Sequence, residues 1–420
     1  MMFCDLSNDE YETLQSDCED LIVTYLDSHG VGMNETNFME KLENDVFDFM
    51  FENGKMCNYC TDEDEEDVYN MCMTACLCTL ENMAIPMRQN GTYYTYIPDH
   101  ETIKKQLLLL GQCPVQVQRS AEWYEIRHNL FSASNLWKLF GTPSQYNSLI
   151  YEKCKDVKKL EYEGDVMIPG ARNWGIKYEP VSVMVYEHKF NTTVNTNYGC
   201  IPHKTLPIGA SPDGINIKPD HEKYGRMLEI KNIYNREMNG IPSKEYWTQM
   251  QIQMEVCQLQ YCDFLETRFK EYSYEEFKSD VEHEYKGVIL FFIPRETGLP
   301  SKFVYVPLFT ANIEQYIETQ KEKMNGLILY ETLYYYLDDI QMSLVERNEY
   351  WFSLTIDKIK ESWDIVLKER SQGFEHRAPQ PRKRPINVVH ENMDLNHSVM
   401  PNTVKVVKID DTMPCLTDSG

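Results

Sequence analysis

Residues 206–217, Leu-Pro-Ile-Gly-Ala-Ser-Pro-Asp-Gly-Ile-Asn-Ile, and residues 227–233, Met-Leu-Glu-Ile-Lys-Asn-Ile, decide how this chain is read. Both are short and aliphatic and are set among Gly, Pro, Asn and Asp, the signature of strands in a sheet. Pro212 and Gly214 put Asp213 in a turn at a strand end. Sixteen residues further on stands Glu229, followed by Ile230 and Lys231. Side chains two apart on a strand share a face, so the carboxylate of Glu229 and the ammonium of Lys231 project together.

Outward from these stretches, strands are expected at 261–269, 287–293 and 303–306, with a helix over 243–260 opened by Pro242-Ser243. Upstream, 120–140 reads as helical, with Trp123, Ile126, Arg127 and Leu130 on neighbouring turns; Ser132-Ala133-Ser134 breaks it and can cap a second helix from Asn135. Helices are expected again over 311–368. Helices, a strand group with one inserted helix, then helices give an α/β fold with a mixed central sheet flanked by helices. Residues 1–112 show helical spacing, as in Leu21, Ile22, Tyr25 and Leu26, and read as a separate small helical domain. Residues 113–370 form the main domain, and 371–420, where apolar periodicity fades, a flexible tail.

With 42% apolar and 25% charged residues the bulk of the chain should fold. The net charge of −25 argues against a nucleic-acid partner until its distribution is considered. Residues 1–110 hold 23 acidic against 5 basic side chains, so −18 lies there and the rest leaves room for a basic groove. The run Asp62-Glu63-Asp64-Glu65-Glu66-Asp67 reads as a solvated loop or helix start rather than a decoy for basic partners. No apolar run is long enough to span a bilayer, and thirteen scattered cysteines suit a reducing compartment, so a soluble intracellular protein is expected. Cys57-x-x-Cys60 with Cys72, Cys76 and Cys78 invites a zinc reading, but the second half lacks the matching spacing and buried thiols account better for it. Cys200 and His203 echo zinc more weakly. Pro381-Arg382-Lys383-Arg384-Pro385 could serve as a nuclear-import signal or a DNA tether.

Two carboxylates that converge in space bind a hard cation through oxygen, and such an ion polarises phosphate and activates water. A neighbouring Lys can orient that water or offset charge in the transition state. Asp213, Glu229 and Lys231 therefore point to phosphodiester hydrolysis, although Glu-Ile-Lys on a strand is by itself more often a solvated face.

Five blocks in order resolve the ambiguity. They are Trp123-Tyr124-Glu125-Ile126-Arg127 with Ser132-Ala133-Ser134, Trp174-Gly175-Ile176-Lys177-Tyr178-Glu179, Ala210-Ser211-Pro212-Asp213-Gly214, Leu228-Glu229-Ile230-Lys231, and Tyr246-Trp247-Thr248-Gln249-Met250-Gln251. Over about residues 118–307 the chain resembles the phage lambda exonuclease or YqaJ-type viral recombinase family, which includes viral alkaline nucleases, within the restriction-endonuclease-like PD-(D/E)xK nucleases. The resemblance implies a restriction-endonuclease-like core and a Mg²⁺-dependent exonuclease that digests the 5′-ended strand of duplex DNA. Two Mg²⁺ ions, for which Mn²⁺ can substitute, would be held by Asp213, Glu229 and the Ile230 carbonyl. Lys231 would position the attacking water, Glu179, in a helix opened by Gly175, would complete the acidic cluster, and Gln249 would support the site or touch DNA. Arg127 and Ser134 would hold the terminal 5′-phosphate, a role suited to a guanidinium fork and a hydroxyl near a helix start. Where the family often has Gly after that Arg, His128-Asn129 follow here. The implied partners are double-stranded DNA ends and a single-strand annealing or binding protein, with room for a homo-oligomer. If the chain is viral, the host nucleus or a cytoplasmic replication site is its expected place. Two other readings stay open, an endonuclease with the same site and a non-catalytic DNA-binding or annealing partner.

Overall fold

Ser7 Oγ accepts a hydrogen bond from the Glu10 amide and the Glu10 carboxylate accepts one from the Ser7 amide, a capping box that starts α1 (Asn8–His29). Three more helices follow, α2 (Phe38–Met56), α3 (Glu65–Asn82) and α4 (His100–Gly111). The acidic run of 62–67 is a single turn leading into the start of α3, where negative charge suits the helix dipole. The computed structural model describes residues 3, 6–86, 99–116, 120–157, 170–295 and 300–379. The basic cluster at 381–385 and nearly all of the expected tail lie outside them.

The remaining elements in chain order are α5 (Ala121–His128), β1 (Phe131–Ser132), α6 (Ala133–Leu136), α7 (Pro143–Cys154), α8 (Ala171–Phe190), β2 (Val194–Asn195), β3 (Ile201–Pro202), β4 (Ile208–Ala210), β5 (Gly214–Asn216) and β6 (Met227–Asn232). After them come α9 (Lys244–Cys257), β7 (Tyr261–Tyr272), α10 (Tyr274–Ser279), β8 (Lys286–Pro294), β9 (Lys302–Tyr305), α11 (Ile313–Lys323), β10 (Leu327–Glu346) and α12 (Glu349–Gln372). The fold is mixed α/β. A seven-stranded sheet runs β2-β5-β6-β7-β10-β8-β9, with β6 and β7 parallel and the other pairs antiparallel, and a smaller sheet runs β1-β4-β3.

Four expectations need correction. The stretch 206–217 is not one strand: Ser211-Pro212-Asp213 divides it, and its halves join different sheets. Within 311–368 the helical reading fails at 327–346, where β10 pairs with β7 and β8. Its sequence, LILYETLYYYLDDIQMSLVE, packs Tyr and aliphatic side chains against both neighbours, as in Tyr334 opposite Tyr272 and Leu333 opposite Ile289. Strand preference of this kind comes from cross-strand packing rather than local backbone bias. Finally, α8 begins at Ala171, so Gly175 lies inside it, and α6 begins at Ala133 after the two-residue strand β1.

Alternation along β6 sorts its side chains onto two faces. Leu228 and Ile230 pack with Tyr186 of α8 and Leu265 of β7. Met227 joins the core that includes Trp247, Met250 and Met254 of α9. The sheet is thus covered by α8 on one face and α9 on the other, and Glu229 and Lys231 belong to the α9 face. That core continues through Trp351 and Ile359 of α12 to Ile22, Leu42 and Cys72 of the first three helices. Trp351 Nε1 donates to the Val31 carbonyl at 3.1 Å, and the Tyr350 hydroxyl to Asp27 at 2.6 Å. Residues Met1–Pro379 form one compact unit. Cys72 and Cys76 are buried on one face of α3, with Cys18 of α1 beside Cys72, whereas Cys57 is exposed. No helix among the described residues is long and apolar enough to cross a membrane.

Candidate active site

Because β5 pairs with β6 only through Gly214 opposite Leu228 and Ile215 opposite Met227, the edge of β6 beyond Leu228 is open. Asp213, immediately before β5, fills it: the Ile230 amide donates to Asp213 Oδ2 at 2.7 Å. In an extended strand the N–H and C=O of one residue leave on the same edge, so the Ile230 carbonyl faces the Asp213 side. Gly214 is required here, since a Cβ would collide with Val194 of the adjoining β2.

Glu229 is fully buried and lies among three donors. Lys231 Nζ and Gln249 Nε2, the latter at 2.7 Å, donate to its Oε1, and Gln253 Nε2 donates to Oε2 at 2.8 Å. A buried carboxylate without such bonds would be costly, so α9 exists in part to satisfy it. Gln249 and Gln253 are four apart and project from the same helix face onto the strand. The ammonium of Lys231 also lies 4.5 Å from the centre of the Tyr246 ring. Burial alone would pull Lys231 down, but Glu229 and Asp213 outweigh it and hold the ammonium above its ordinary value. Burial, then the charges of Glu229 and of Glu179 on α8, push the Asp213 carboxyl well above the usual carboxylate range. Asp213, Glu179, Lys231 and Gln249 are each partly open to solvent, above a floor of Glu229 and Gln253.

The donor set suits a hard divalent ion. Asp213 and Glu229 supply carboxylate oxygens, the Ile230 carbonyl a third oxygen, and the repulsion that raises Asp213 is what a bound dication would relieve. Among the described residues no three His, Cys, Asp or Glu side chains form a metal-binding group. Glu179 lies close enough on α8 for its charge to act on the Asp213 carboxyl.

The other sequence-predicted residues meet at a second place. Arg127, at the end of α5, lies 4.3 Å over the Trp123 ring, and its Nη2 donates to Ser134 Oγ at 3.1 Å. Burial draws its guanidinium below the ordinary value. Lys153 of α7 is 5% exposed and donates to the Arg127 carbonyl at 2.7 Å.

Sequence reasoning passed over Gln253, Tyr246 and Lys153. The spacing of Gln249 and Gln253 was a legible signal, but a polar helix face is ordinary until a buried carboxylate is known to face it. Gln253→Ala is expected to leave Glu229 Oε2 without its donor and to destabilise the fold by about 1–3 kcal/mol, read by urea unfolding; Gln253→Glu, which sets carboxylate against carboxylate, should cost more.

Burial lowers Lys153 from 10.5 to about 8. Between those values the unfolded chain keeps a proton that the folded protein has released, so this group's contribution to stability grows as pH rises. At about 1.4 kcal/mol per pKa unit the difference is on the order of 3 kcal/mol. Lys153→Met should remove it: the unfolding free energy of the parent relative to that variant is expected to climb from pH 7.5 to 10.5, and a flat difference would disprove the assignment.

Residues 122–260 match the family model of the YqaJ-like viral recombinase domain. The uncharacterized protein R354 of Acanthamoeba polyphaga mimivirus is 24% identical over 310 residues, covering 64% of this chain and 56% of that protein. The chain thus spans little more than half the length of this relative. Among solved structures, an alkaline exonuclease, LHK-Exo, from Laribacter hongkongensis matches at 19% identity with a TM-score of 0.33, and LHK-Exo in complex with dAMP at 19% with 0.34, each over 61% of this chain and 95% of the other. The segment 122–260 holds every side chain of both clusters, from Arg127 to Gln253, and it is this segment that is similar to the YqaJ-like viral recombinase domain.

Proposed function

We propose that the protein is a nuclease of DNA recombination: a Mg²⁺-dependent exonuclease with a restriction-endonuclease-like PD-(D/E)xK core, digesting the 5′-ended strand of linear duplex DNA to leave 3′ single strands for recombination, replication or repair. The observation that carries this reading is the Glu229 carboxylate, buried under Lys231, Gln249 and Gln253, with Asp213 on the open edge beside it. Surface ion pairs are not built this way. A structural pair would leave no reason for a second, electrostatically strained carboxylate at a solvent opening.

Asp213, Glu229 and the Ile230 carbonyl would hold the divalent ions, and Mn²⁺ has the oxygen preference to substitute. Bound there, such an ion would polarise the scissile phosphate and acidify water. Lys231, held as an ammonium, is a donor and not a proton acceptor. It would orient the incoming water and offset charge gathering on the phosphate. Gln249 and Gln253 fix the rotamer of Glu229, and Gln249, at the opening, can also reach substrate. Glu179 deepens the negative potential that draws a cation in. Arg127 and Ser134 would read the 5′-phosphate and so set polarity.

The test is digestion of linear and circular duplexes in Mg²⁺, with label at the 5′ or the 3′ end. Early release of 5′ label as mononucleotide from linear DNA, with the circle left whole, supports the reading. Nicking of the circle at a similar rate would make the enzyme an endonuclease with the same site, and DNA binding without cleavage in Mg²⁺ or Mn²⁺ would make it a non-catalytic partner.

A further inference from the structure

The end of α5 is held by two cations from distant parts of the chain. A helix leaves its last carbonyls without internal partners and its C-terminus partly negative. Here the Arg127 carbonyl accepts from Lys153 Nζ at 2.7 Å and the His128 carbonyl from Arg370 Nη2 at 2.7 Å. Arg370, near the end of α12, also reaches the Lys153 carbonyl through Nε at 3.0 Å and Nη2 at 2.8 Å, and Asn129 Oδ1 through Nη1 at 3.2 Å. One guanidinium thereby ties the end of α5 to the end of α7. His128 and Asn129, which stand where the family often has Gly, supply two of its acceptors. Beyond this anchor the Arg127 side chain turns to Trp123 and Ser134.

The guanidinium of Arg370 is nearly saturated by protein acceptors, so it is placed to hold and not to bind substrate. It lies 110 residues past the end of the matched domain, in a helix that packs on α7, α9 and the N-terminal helices. We infer that Arg370, together with Lys153, is a positioning residue for DNA-end recognition, holding the α5 terminus so that Arg127 meets Ser134, which makes recognition of a 5′-phosphorylated end depend on α12. This rests on the reading of Arg127 and Ser134 given under the proposed function.

The experiment measures kcat and KM of the full chain on linear duplexes with 5′-phosphate or 5′-hydroxyl ends. The parent should favour the phosphate. Arg370→Ala is expected to raise KM for phosphorylated ends roughly tenfold, leave kcat within about twofold, and leave KM for hydroxyl ends unchanged, since the lost contact is a charge-assisted one. Arg370→Lys, with the charge but not the fork, should recover only part of the preference. In an Arg127→Ala background Arg370→Ala should change nothing further, because two residues acting through one contact are not additive. If Arg370→Ala is poorly folded, Arg370→Gln takes its place in the cycle. A preference that survives loss of Arg370, an equal loss on both ends, or full additivity with Arg127→Ala overturns the inference alone. A parent that digests both ends alike overturns the end-recognition reading and the inference with it.

Discussion

Lys231→Ala is expected to lower nucleotide release from linear duplex DNA by about a thousandfold, the scale on which removal of one preorganised donor acts on a charged transition state. The ammonium is fixed from two sides, by Glu229 Oε1 and by the Tyr246 ring at 4.5 Å, so little reorganisation is needed when phosphate arrives. Its raised pKa keeps it charged throughout the physiological range, and the loss should therefore be uniform between about pH 6 and 9 instead of appearing as a shifted profile. Lys231→Arg should recover little, because a planar fork cannot occupy the place of a compact ammonium between a carboxylate and a ring. The same Lys231→Ala change leaves Glu229 buried without its cation, so a lower Tm should accompany the loss. Gln249 and Gln253 still donate to that carboxylate, and for this reason the fold should survive. A rate within tenfold of the parent, in protein with unchanged far-UV circular dichroism, would remove Lys231 from the chemistry.

Asp213→Asn is expected to abolish cleavage and at the same time make the metal-free protein more stable. The folded protein holds the Asp213 carboxyl well above its ordinary value, through burial and then through Glu229 and Glu179. The unfolded chain has already released that proton at neutral pH, so the group works against the fold, increasingly so as pH rises from about 4 toward the folded value. The amide is isosteric, its oxygen can still accept from the Ile230 amide at 2.7 Å, and it carries no charge against its neighbours. A gain on the order of 1 kcal/mol, about 2 °C in Tm, should follow, and it should shrink as pH falls toward 4. Mg²⁺ or Mn²⁺ should raise the Tm of the parent and have much less effect on the variant, because a ligand stabilises only the state that binds it. This thermal shift reads the metal site independently of turnover. An Asp213→Asn protein that is less stable than the parent in chelator, or equally stabilised by Mg²⁺, would mean that residue 213 is a structural turn residue and no ligand.

Much of the site was legible in the chain because its members sit in short local patterns. Asp213 between Pro and Gly, and Glu229 two before Lys231, disclose their geometry from neighbours alone. Gln253 did not, since its meaning depends on Glu229 lying beneath α9. Lys153 and Arg370 were invisible for the same reason: their acceptors are carbonyls at the end of α5, 26 and 242 residues away.

The sheet shows the same division. Strands β6, β8 and β9 were readable as aliphatic runs bounded by turns, whereas β10 reads as helix until its Tyr and Leu side chains are set against β7 and β8. The sequence by itself determined the chemical inventory, the carboxylates, the ammonium, the turn that carries Asp213 and the faces of its strand and helices, because these follow from local stereochemistry and periodicity. The tertiary structure alone decided which of these groups become buried together, and so which carboxylate is satisfied by α9, which is left strained at the opening, and which cations cap α5. Burial and electrostatic neighbourhood are properties of chain segments brought together from far apart, and no local pattern encodes them.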